Sequence, residues 1–348
     1  MILLREIQDA DLSALEALAQ IPGFINLVAD TDVLKYRIRH SAASFSDSLA
    51  NKMEAKFIFV AEDLETKKVL GTSMIAAQHG TAESPHFYFE VGNEKKFADT
   101  INTGFIHGTL HLKYDTNGPS EIGGLVVDPD YRNSDERLGR QISFVRFLYL
   151  GMNKPKFKRR VIAELLPPLN KKGLSPLWEA IGRRFTNMDY WEADELCQKN
   201  KEFIFSLFPT GKIYTTFFPA EARNAIGKVG KATEPVYHML TKIGFKYKNQ
   251  VDPFDGGPHL WANVDEIVPI KKMSNYKLDR SMQAGEKTEW VSGLITRADA
   301  PKGQFRALSA KVVIKDKQLN FFEAARGELA CSALGLKDKD PLVFMPYY

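Results

Sequence analysis

The chain of 348 residues carries 47 basic and 43 acidic side chains, giving a net charge of +4, and 44% of its residues are hydrophobic. This length predicts two or three domains, and the composition excludes a disordered chain. The basic excess is too small and dispersed for nucleic-acid binding, although it favours an anionic ligand. Two cysteines exclude a disulfide framework, and the apolar runs are too short to predict a membrane span. Because Met1–Asp11 lacks the pattern of a signal peptide, we expect a cytoplasmic protein.

The first quarter of the chain predicts a strand, a helix and a hairpin. Ile2–Ile7 is strand-like, and the apolar spacing that starts at Leu12 and Leu15 indicates a helix. Lys56–Glu62 and Val69–Ala77 read as two strands joined by a polar turn, which predicts an antiparallel hairpin.

After an irregular middle, a second set of elements follows. Glu121–Asp128 predicts a strand that leads through a polar loop into a helix over Gln141–Leu150. Arg160–Leu165 predicts another strand, and Ser175–Gly182 predicts a helix with proline in its first turn. The order of these elements indicates a mixed α/β (α+β) fold.

The second half repeats part of this pattern. Glu234–Phe245 resembles Ser175–Phe185, since both begin a helix with proline, place an aromatic residue two positions later and end at glycine. The alternative is that both segments use the common start and stop signals of helices, but we favour a degenerate internal duplication. Beyond residue 270 the chain is more polar, with β-like stretches at 289–296 and 303–314 and a helix near 319–327. We therefore predict three domains: 1–165, 166–270 and 271–348.

The strand at 121–128 and the loop after it form the segment most suggestive of chemistry. Backbone amides at the start of a helix attract anions, and Arg132, Arg137 and Arg140 add positive charge around them. A plain connector with surface arginines is the alternative interpretation. The segment Val127–Arg132 and the triplet Arg137-Leu138-Gly139 resemble the acyl-CoA pyrophosphate motif of the GNAT acyltransferase superfamily, with arginine in place of the first glycine and a loop about two residues longer.

Several ordered downstream segments are similar to the arginine N-succinyltransferase family; they are Ser175–Phe185, Met188–Tyr190, Ile213–Thr215, Ile226–Val229, Gly244–Asn249 and Phe254–Pro258. The resemblance implies two GNAT-like halves in tandem and a small β-rich C-terminal domain. It further implies an acyltransferase of arginine catabolism that uses succinyl-CoA as donor and the α-amine of L-arginine as acceptor. These are small-molecule partners, with no nucleic acid or membrane among them.

The resemblance also assigns roles to residues. The family's acyl-CoA contact maps onto Leu125, so Leu125 and Val127 are expected to bind the donor, with the loop residues already named: Arg132, Arg137, Leu138 and Gly139. Glu121 is a candidate base for the amine proton, or simply a solvated strand end. The family's proton-donor histidine falls on Gly230, which leaves that role to His238 or Tyr214, although an ordinary surface or packing role is the alternative for both.

Two alternatives stay open at this level: another amine or acyl-CoA as substrate, or a non-catalytic subunit that pairs with an active paralogue. Tandem folds of this kind favour a dimer or other homo- or hetero-oligomer. Matched positions also nominate Arg183 for the donor carboxylate and Asp189 and Asp255 for a guanidinium. The spacing of the remaining histidines predicts no metal site; they are His40, His79, His86, His107, His111 and His259.

Overall fold

A computed structural model describes residues 1–21, 30–132, 135–282 and 289–348, and the following statements concern these residues. They divide into two compact units made of interleaved segments. The first unit comprises Met1–Ala77, Glu121–Arg159 and Asn263–Tyr348, and the second comprises Gln78–Ser120 and Arg160–Ala262. The predicted boundaries at 165 and 270 stay a prediction, since compact units and ancestral repeats need not coincide.

The strands follow one another along the chain as β1 (Ile2–Glu6), β2 (Lys56–Asp63), β3 (Val69–Ala76), β4 (His86–Ala98), β5 (Thr103–Asp115), β6 (Ser120–Val127), β7 (Arg160–Glu164), β8 (Lys212–Tyr214), β9 (Lys246–Val251), β10 (Pro258–Asn263), β11 (Ser274–Leu278), β12 (Val291–Arg297), β13 (Arg306–Lys315), β14 (Gln318–Phe321) and β15 (Pro341–Pro346). The α-helices are α1 (Leu12–Ala19), α2 (Thr31–Phe45), α3 (Leu138–Met152), α4 (Pro176–Ala180), α5 (Gly182–Thr186), α6 (Tyr190–Lys199), α7 (Glu202–Leu207), α8 (Ala220–Ala225), α9 (Glu234–Lys242), α10 (Val268–Lys272) and α11 (Ala324–Leu334). This mixture confirms the predicted mixed α/β class.

In the first unit the strands lie in the order β12-β15-β11-β14-β13-β1-β2-β3-β6. Strand β13 pairs antiparallel with β1, with Leu308 opposite Leu3, so the C-terminal segment continues the sheet that begins at the N-terminus. Alternation along β2 explains the packing on its two faces. Ile58 and Val60 join the apolar residues of α1 and α2, whereas Phe59 packs edge-on against Tyr149 of α3.

In the second unit the strands lie in the order β7-β10-β9-β4-β5-β8. Strands β4 and β5 pair antiparallel over 13 positions, from His86 opposite Asp115 to Ala98 opposite Thr103. Trp178 of α4 is fully buried and stacks on Phe254, with 4.9 Å between ring centroids. This stack fixes α4 beside the turn that precedes β10.

The structure confirms the hairpin of β2 and β3, the strand β6 and the helix α3, each within two or three residues of its predicted bounds. It corrects two other predictions. The irregular middle contains the long hairpin of β4 and β5, and the helix predicted near 319–327 begins only at Ala324, because Leu319 and Phe321 are buried in β14. Among the described residues, no helix has both the length and the apolar character needed to cross a membrane.

Candidate functional site

A β-bulge interrupts β6 at the position predicted to contact the acyl-CoA. Val126 lies opposite Thr72 of β3 and Gly123 lies opposite Met74, so Gly124 and Leu125 together oppose a single residue of β3. Gly124 has a φ of +57°, a left-handed conformation that glycine adopts without a steric penalty. A bulge leaves one residue outside the hydrogen-bonded ladder and redirects its backbone. The chain therefore frees backbone polar groups near Leu125 from pairing with β3.

Two buried polar side chains connect the region of this bulge to α3 by hydrogen bonds. Ser73, the residue of β3 that faces the bulge, donates from Oγ to the carbonyl oxygen of Ile142 over 2.7 Å. Arg146 of α3 donates to the carbonyl oxygen of Gly123 over 3.2 Å and to the carbonyl and hydroxyl oxygens of Ser143. These partners are neutral, and burial lowers the pKa of Arg146 to about 9. A guanidinium group thus lies under the bulge, in a place that sequence reasoning missed.

The loop after β6 brings several predicted site residues together. Arg132 reaches back, with its Nε 3.4 Å from the carbonyl oxygen of Val127. Arg137 has a φ of +50° and directly precedes the first turn of α3, where Leu138 is buried. A Cβ at Gly139 would lie 4.0 Å from Val127 Cγ2, so the start of α3 packs closely on the end of β6. This arrangement directs the first amides of a 15-residue helix towards the loop.

Lysine and arginine side chains surround the start of α3, and each contacts a different partner. Lys68 forms an ion pair with Asp128, with 3.0 Å between Nζ and Oδ2. The guanidinium of Arg140 stacks over the Tyr347 ring, with 4.0 Å to the centroid, so this arginine is already engaged. Lys68 and Arg140 are thus held by neighbours of the same unit, as Arg132 is held by the carbonyl oxygen of Val127.

Glu121, the candidate base, lies on β6 opposite Ala76 of β3. Its Oε1 would be 3.1 Å from a Cβ placed at Gly123, so the glycine leaves room for the carboxylate on this face of the strand. Glu121 is half-buried and lies three positions before Gly124 of the bulge. The base and the predicted donor contact therefore belong to the same short stretch of β6.

The other two predicted catalytic residues belong to the second unit. Tyr214 is half-buried at the end of β8, where its hydroxyl is hydrogen-bonded to Glu94. His238 is exposed on α9, with its ring 5.6 Å from that of Tyr237. At Gly230 the backbone N–H donates to the carbonyl oxygen of Leu166, and a Cβ would lie 2.7 Å from the carbonyl oxygen of Pro167. A side chain at position 230 would therefore require the backbone to shift.

Three histidines that are distant in sequence converge on one carboxylate in the second unit. Oε1 of Glu164 lies 3.3 Å from Nε2 of His86, 3.5 Å from Nε2 of His259 and 3.7 Å from Nε2 of His79. His86 and His259 are buried, whereas His79 and Glu164 keep 22% and 28% of their side-chain surface exposed. Burial alone would raise the pKa of Glu164, but the three imidazoles hold it well below the ordinary value. We name this group the His-Glu cluster.

Two aspartates in the turn before β10 lie beside the cluster. Oδ1 of Asp252 accepts from the backbone N–H groups of Phe254 and Asp255, and Oδ1 of Asp255 accepts from that of Gly257. Burial, together with the negative charge of Glu164, raises the pKa of Asp252 to about 7. Burial and the proximity of Asp252 raise the pKa of Asp255 well above its ordinary value. Both aspartates build the turn.

Other residues nominated from the sequence have structural partners. Arg183 forms ion pairs with Glu179 and Asp189, and Asp189 also caps α6. Both side chains stay partly exposed, at 36% and 66%, and their predicted roles towards a substrate stay predictions. Burial raises the pKa of Cys197 to about 12, so its thiol is not a nucleophile at neutral pH.

Comparison with known proteins is consistent along most of the chain. Residues 2–269 match the family model described as arginine N-succinyltransferase beta subunit. The arginine N-succinyltransferases of Shigella dysenteriae and Escherichia coli K12 are each 36% identical over 275 residues, which cover 78% of this chain and 79% of the relative. The solved structure of arginine/ornithine succinyltransferase subunit AI from Pseudomonas aeruginosa is 26% identical, with a TM-score of 0.82, and the match covers 99% of this chain and 98% of that one.

Proposed function

The chain belongs to the arginine N-succinyltransferase family, and from this premise we propose that it transfers the succinyl group of succinyl-CoA to the α-amine of L-arginine. The observation that carries the proposal is the bulge at Gly124 and Leu125, which frees backbone groups of β6 from the ladder with β3. Such groups are suited to hold a thioester carbonyl as negative charge develops on its oxygen.

The remainder of the donor fits the segment that follows. A CoA ester carries a pyrophosphate, which favours the first amides of a helix and nearby cations. The start of α3 offers both, with Arg132 folded back onto Val127 and Arg137 directly before Leu138 and Gly139. Leu125 is half-buried and would contact the acyl or pantetheine portion of the donor. We therefore assign the donor site to the end of β6 and the beginning of α3.

The reaction requires the amine nitrogen to attack the thioester carbon, after which the carbon–sulfur bond breaks. Glu121 is the group we assign to accept the amine proton, directly or through water, because it shares β6 with Leu125. The departing thiolate takes a proton from solvent or from an acidic side chain, a role for which Tyr214 and His238 stay the candidates from the sequence. Since a thiolate is a good leaving group, this last step is the least demanding for the protein.

A thiol-release assay on the full chain tests the proposal. Purified protein is incubated with succinyl-CoA and L-arginine, L-ornithine or no amine, and free CoA and the acylated product are measured by absorbance and mass spectrometry. We expect amine-dependent release of CoA. Folded protein that releases none with any amine would instead be a non-catalytic partner of an active paralogue.

Paired substitutions test the location of the donor site. Leu125→Arg places a long cation against the bulge and is expected to abolish turnover or raise KM for succinyl-CoA at least tenfold. Val291→Arg makes the same kind of change at an exposed strand position of the first unit and should leave KM unchanged. If the two variants had the same KM for succinyl-CoA, the assignment of the donor site to β6 would be wrong.

Assembly and location form a further part of the proposal. The family description and the Pseudomonas aeruginosa structure both use the word subunit, which supports a dimer or a hetero-oligomer with a paralogous chain. Light scattering after gel filtration, alone and with the paralogue, distinguishes these states. Use of a CoA ester supports a cytoplasmic location.

A further inference from the structure

We infer that His79, His86 and Glu164 bind a divalent transition-metal ion of the Zn²⁺ type. The inference is independent of acyl transfer, because it rests on geometry in the second unit and its test reads metal binding. One ligand atom from each of these residues lies within 4.8 Å of those from the other two. The donor set, two imidazoles and one carboxylate, is one that zinc accepts with a fourth position left open.

The two distances from the carboxylate to the histidines are close to those of a tetrahedral site. With zinc bonds of 2.0–2.1 Å, neighbouring ligand atoms in a tetrahedron are separated by about 3.3 Å. Oε1 of Glu164 lies 3.3 Å from Nε2 of His86 and 3.7 Å from Nε2 of His79. The third pair, one nitrogen from each histidine, lies within 4.8 Å, so an ion bound by all three atoms requires these two imidazoles to approach one another by up to about 1.5 Å.

An ordinary hydrogen-bonded cluster accounts less well for the same distances. Charge-assisted N–H···O bonds close to about 2.7–2.9 Å, and each of these contacts to Oε1 is longer. His86 is 1% exposed, and neither of its ring nitrogens makes a hydrogen bond of acceptable geometry among the residues that the structure describes. A buried imidazole in that position is costly unless something binds its nitrogen.

The surroundings have the properties of a metal site. The ligands are held by defined elements: His86 begins β4, Glu164 ends β7, and the backbone N–H of His79 donates to the carbonyl oxygen of Pro119 over 2.7 Å. His259 lies 3.5 Å from the same carboxylate oxygen, beside the three proposed ligands. The partial exposure of His79 and Glu164 provides a path for the ion and for water at the open position.

Metal content and affinity test the inference directly. Full-length protein is stripped with chelator and titrated with Zn²⁺ by calorimetry, with Mg²⁺ as a hard cation that nitrogen ligands disfavour. We expect about one Zn²⁺ per chain, no Mg²⁺ binding, and a Co²⁺ derivative whose visible absorption is that of a tetrahedral ion. Wild-type protein that takes up no stoichiometric Zn²⁺ overturns the inference.

Variants then locate the ion. His79→Gln and Glu164→Gln are expected to weaken Zn²⁺ binding by roughly tenfold or more, whereas His107→Gln, in β5 of the same unit, retains wild-type affinity. If the first two bind Zn²⁺ like the wild type, the ion lies elsewhere and the inference fails.

A measurement without substitutions covers the case in which those variants do not fold. In the wild type, Zn²⁺ should protect His79 from acylation by diethyl pyrocarbonate, while His107 keeps its reactivity. Unchanged modification of His79 in saturating Zn²⁺ would contradict the assignment.

Discussion

Replacing Arg146 with methionine tests whether this residue is needed for donor binding or for the stability of the fold. The guanidinium is fully enclosed and donates to Gly123 and Ser143, so it joins the bulge of β6 to the middle of α3. Methionine fills a similar volume but cannot donate. We expect a higher KM for succinyl-CoA with little loss of overall stability.

The magnitude follows from two opposing terms. Burial lowers the pKa of Arg146 to about 9 from 12.5, which corresponds to about 5 kcal/mol of lost hydration for the charge. Removing the charge regains that energy, but it leaves the carbonyl oxygens of Gly123 and Ser143 without their donors, at about 1–3 kcal/mol each. The free energy of unfolding should therefore change by between a gain of about 3 kcal/mol and a loss of about 1 kcal/mol. The hydrogen bond to Gly123 is worth about 1.5–3 kcal/mol because its donor is charged. We expect this energy to hold the bulge in the conformation that binds the donor, so that its loss raises KM about tenfold or more.

Initial rates of CoA release against succinyl-CoA concentration, together with urea unfolding, measure both quantities. Arg39→Met on the exposed face of α2 is the matched control and should alter neither. If Arg146→Met kept the wild-type KM while losing more than about 3 kcal/mol of stability, Arg146 would be a structural residue only, and the proposed role of the bulge would lose its support.

Three further substitutions test the first unit. Burial raises the pKa of Glu6 to about 7 despite nearby arginines, so folding favours its protonated form and its unfavourable contribution to stability grows as pH rises from about 4.5 through 7. Glu6→Gln should remove this dependence and gain up to about 3 kcal/mol at pH 8, measured by urea unfolding at several pH values. Gly124→Ala forces a side chain onto a φ of +57° and within 3.2 Å of Met74 Cβ, which should cost about 1–2 kcal/mol and raise KM for the acyl-CoA. Phe59→Ala should cost about 3–5 kcal/mol in thermal unfolding, since the ring is fully buried against Tyr149.

Local patterns in the sequence predicted the elements that carry the proposed donor site. Alternation identified the hairpin of β2 and β3, and a polar loop after a β-like run identified β6 and α3, because these signals depend only on neighbouring residues. The adjacent Gly123 and Gly124 were a further signal, since glycine inside a strand often marks a bulge. Arg146 gave none, because an arginine among apolar helical residues does not reveal whether its guanidinium is buried.

Long-range contacts explain what the sequence did not predict. The expectation of no metal-binding histidines depended on spacing along the chain and stays a prediction; it did not anticipate that β4, β7 and the segment between β3 and β4 bring His79, His86 and Glu164 together. The strands β4 and β5 were missed because apolar residues such as Phe97, Phe105 and Ile106 are exposed on the hairpin, so apolar residues do not mark a single buried face. Such strands are recognised only from the partner with which they pair.

Because position 230 is a glycine, other groups of the chain must provide the catalysis in the proposed activity. The space beside its backbone is occupied by the carbonyl oxygen of Pro167, and its N–H is already bound to Leu166. This part of the second unit is therefore built without a side chain at that position, and restoring a histidine there would disturb it. Transfer of an acyl group from a thioester tolerates the loss of an acid more readily than the loss of carbonyl activation, because the thiolate departs without assistance. The proposed reaction therefore depends mainly on β6, which carries both the bulge at Leu125 and the carboxylate of Glu121.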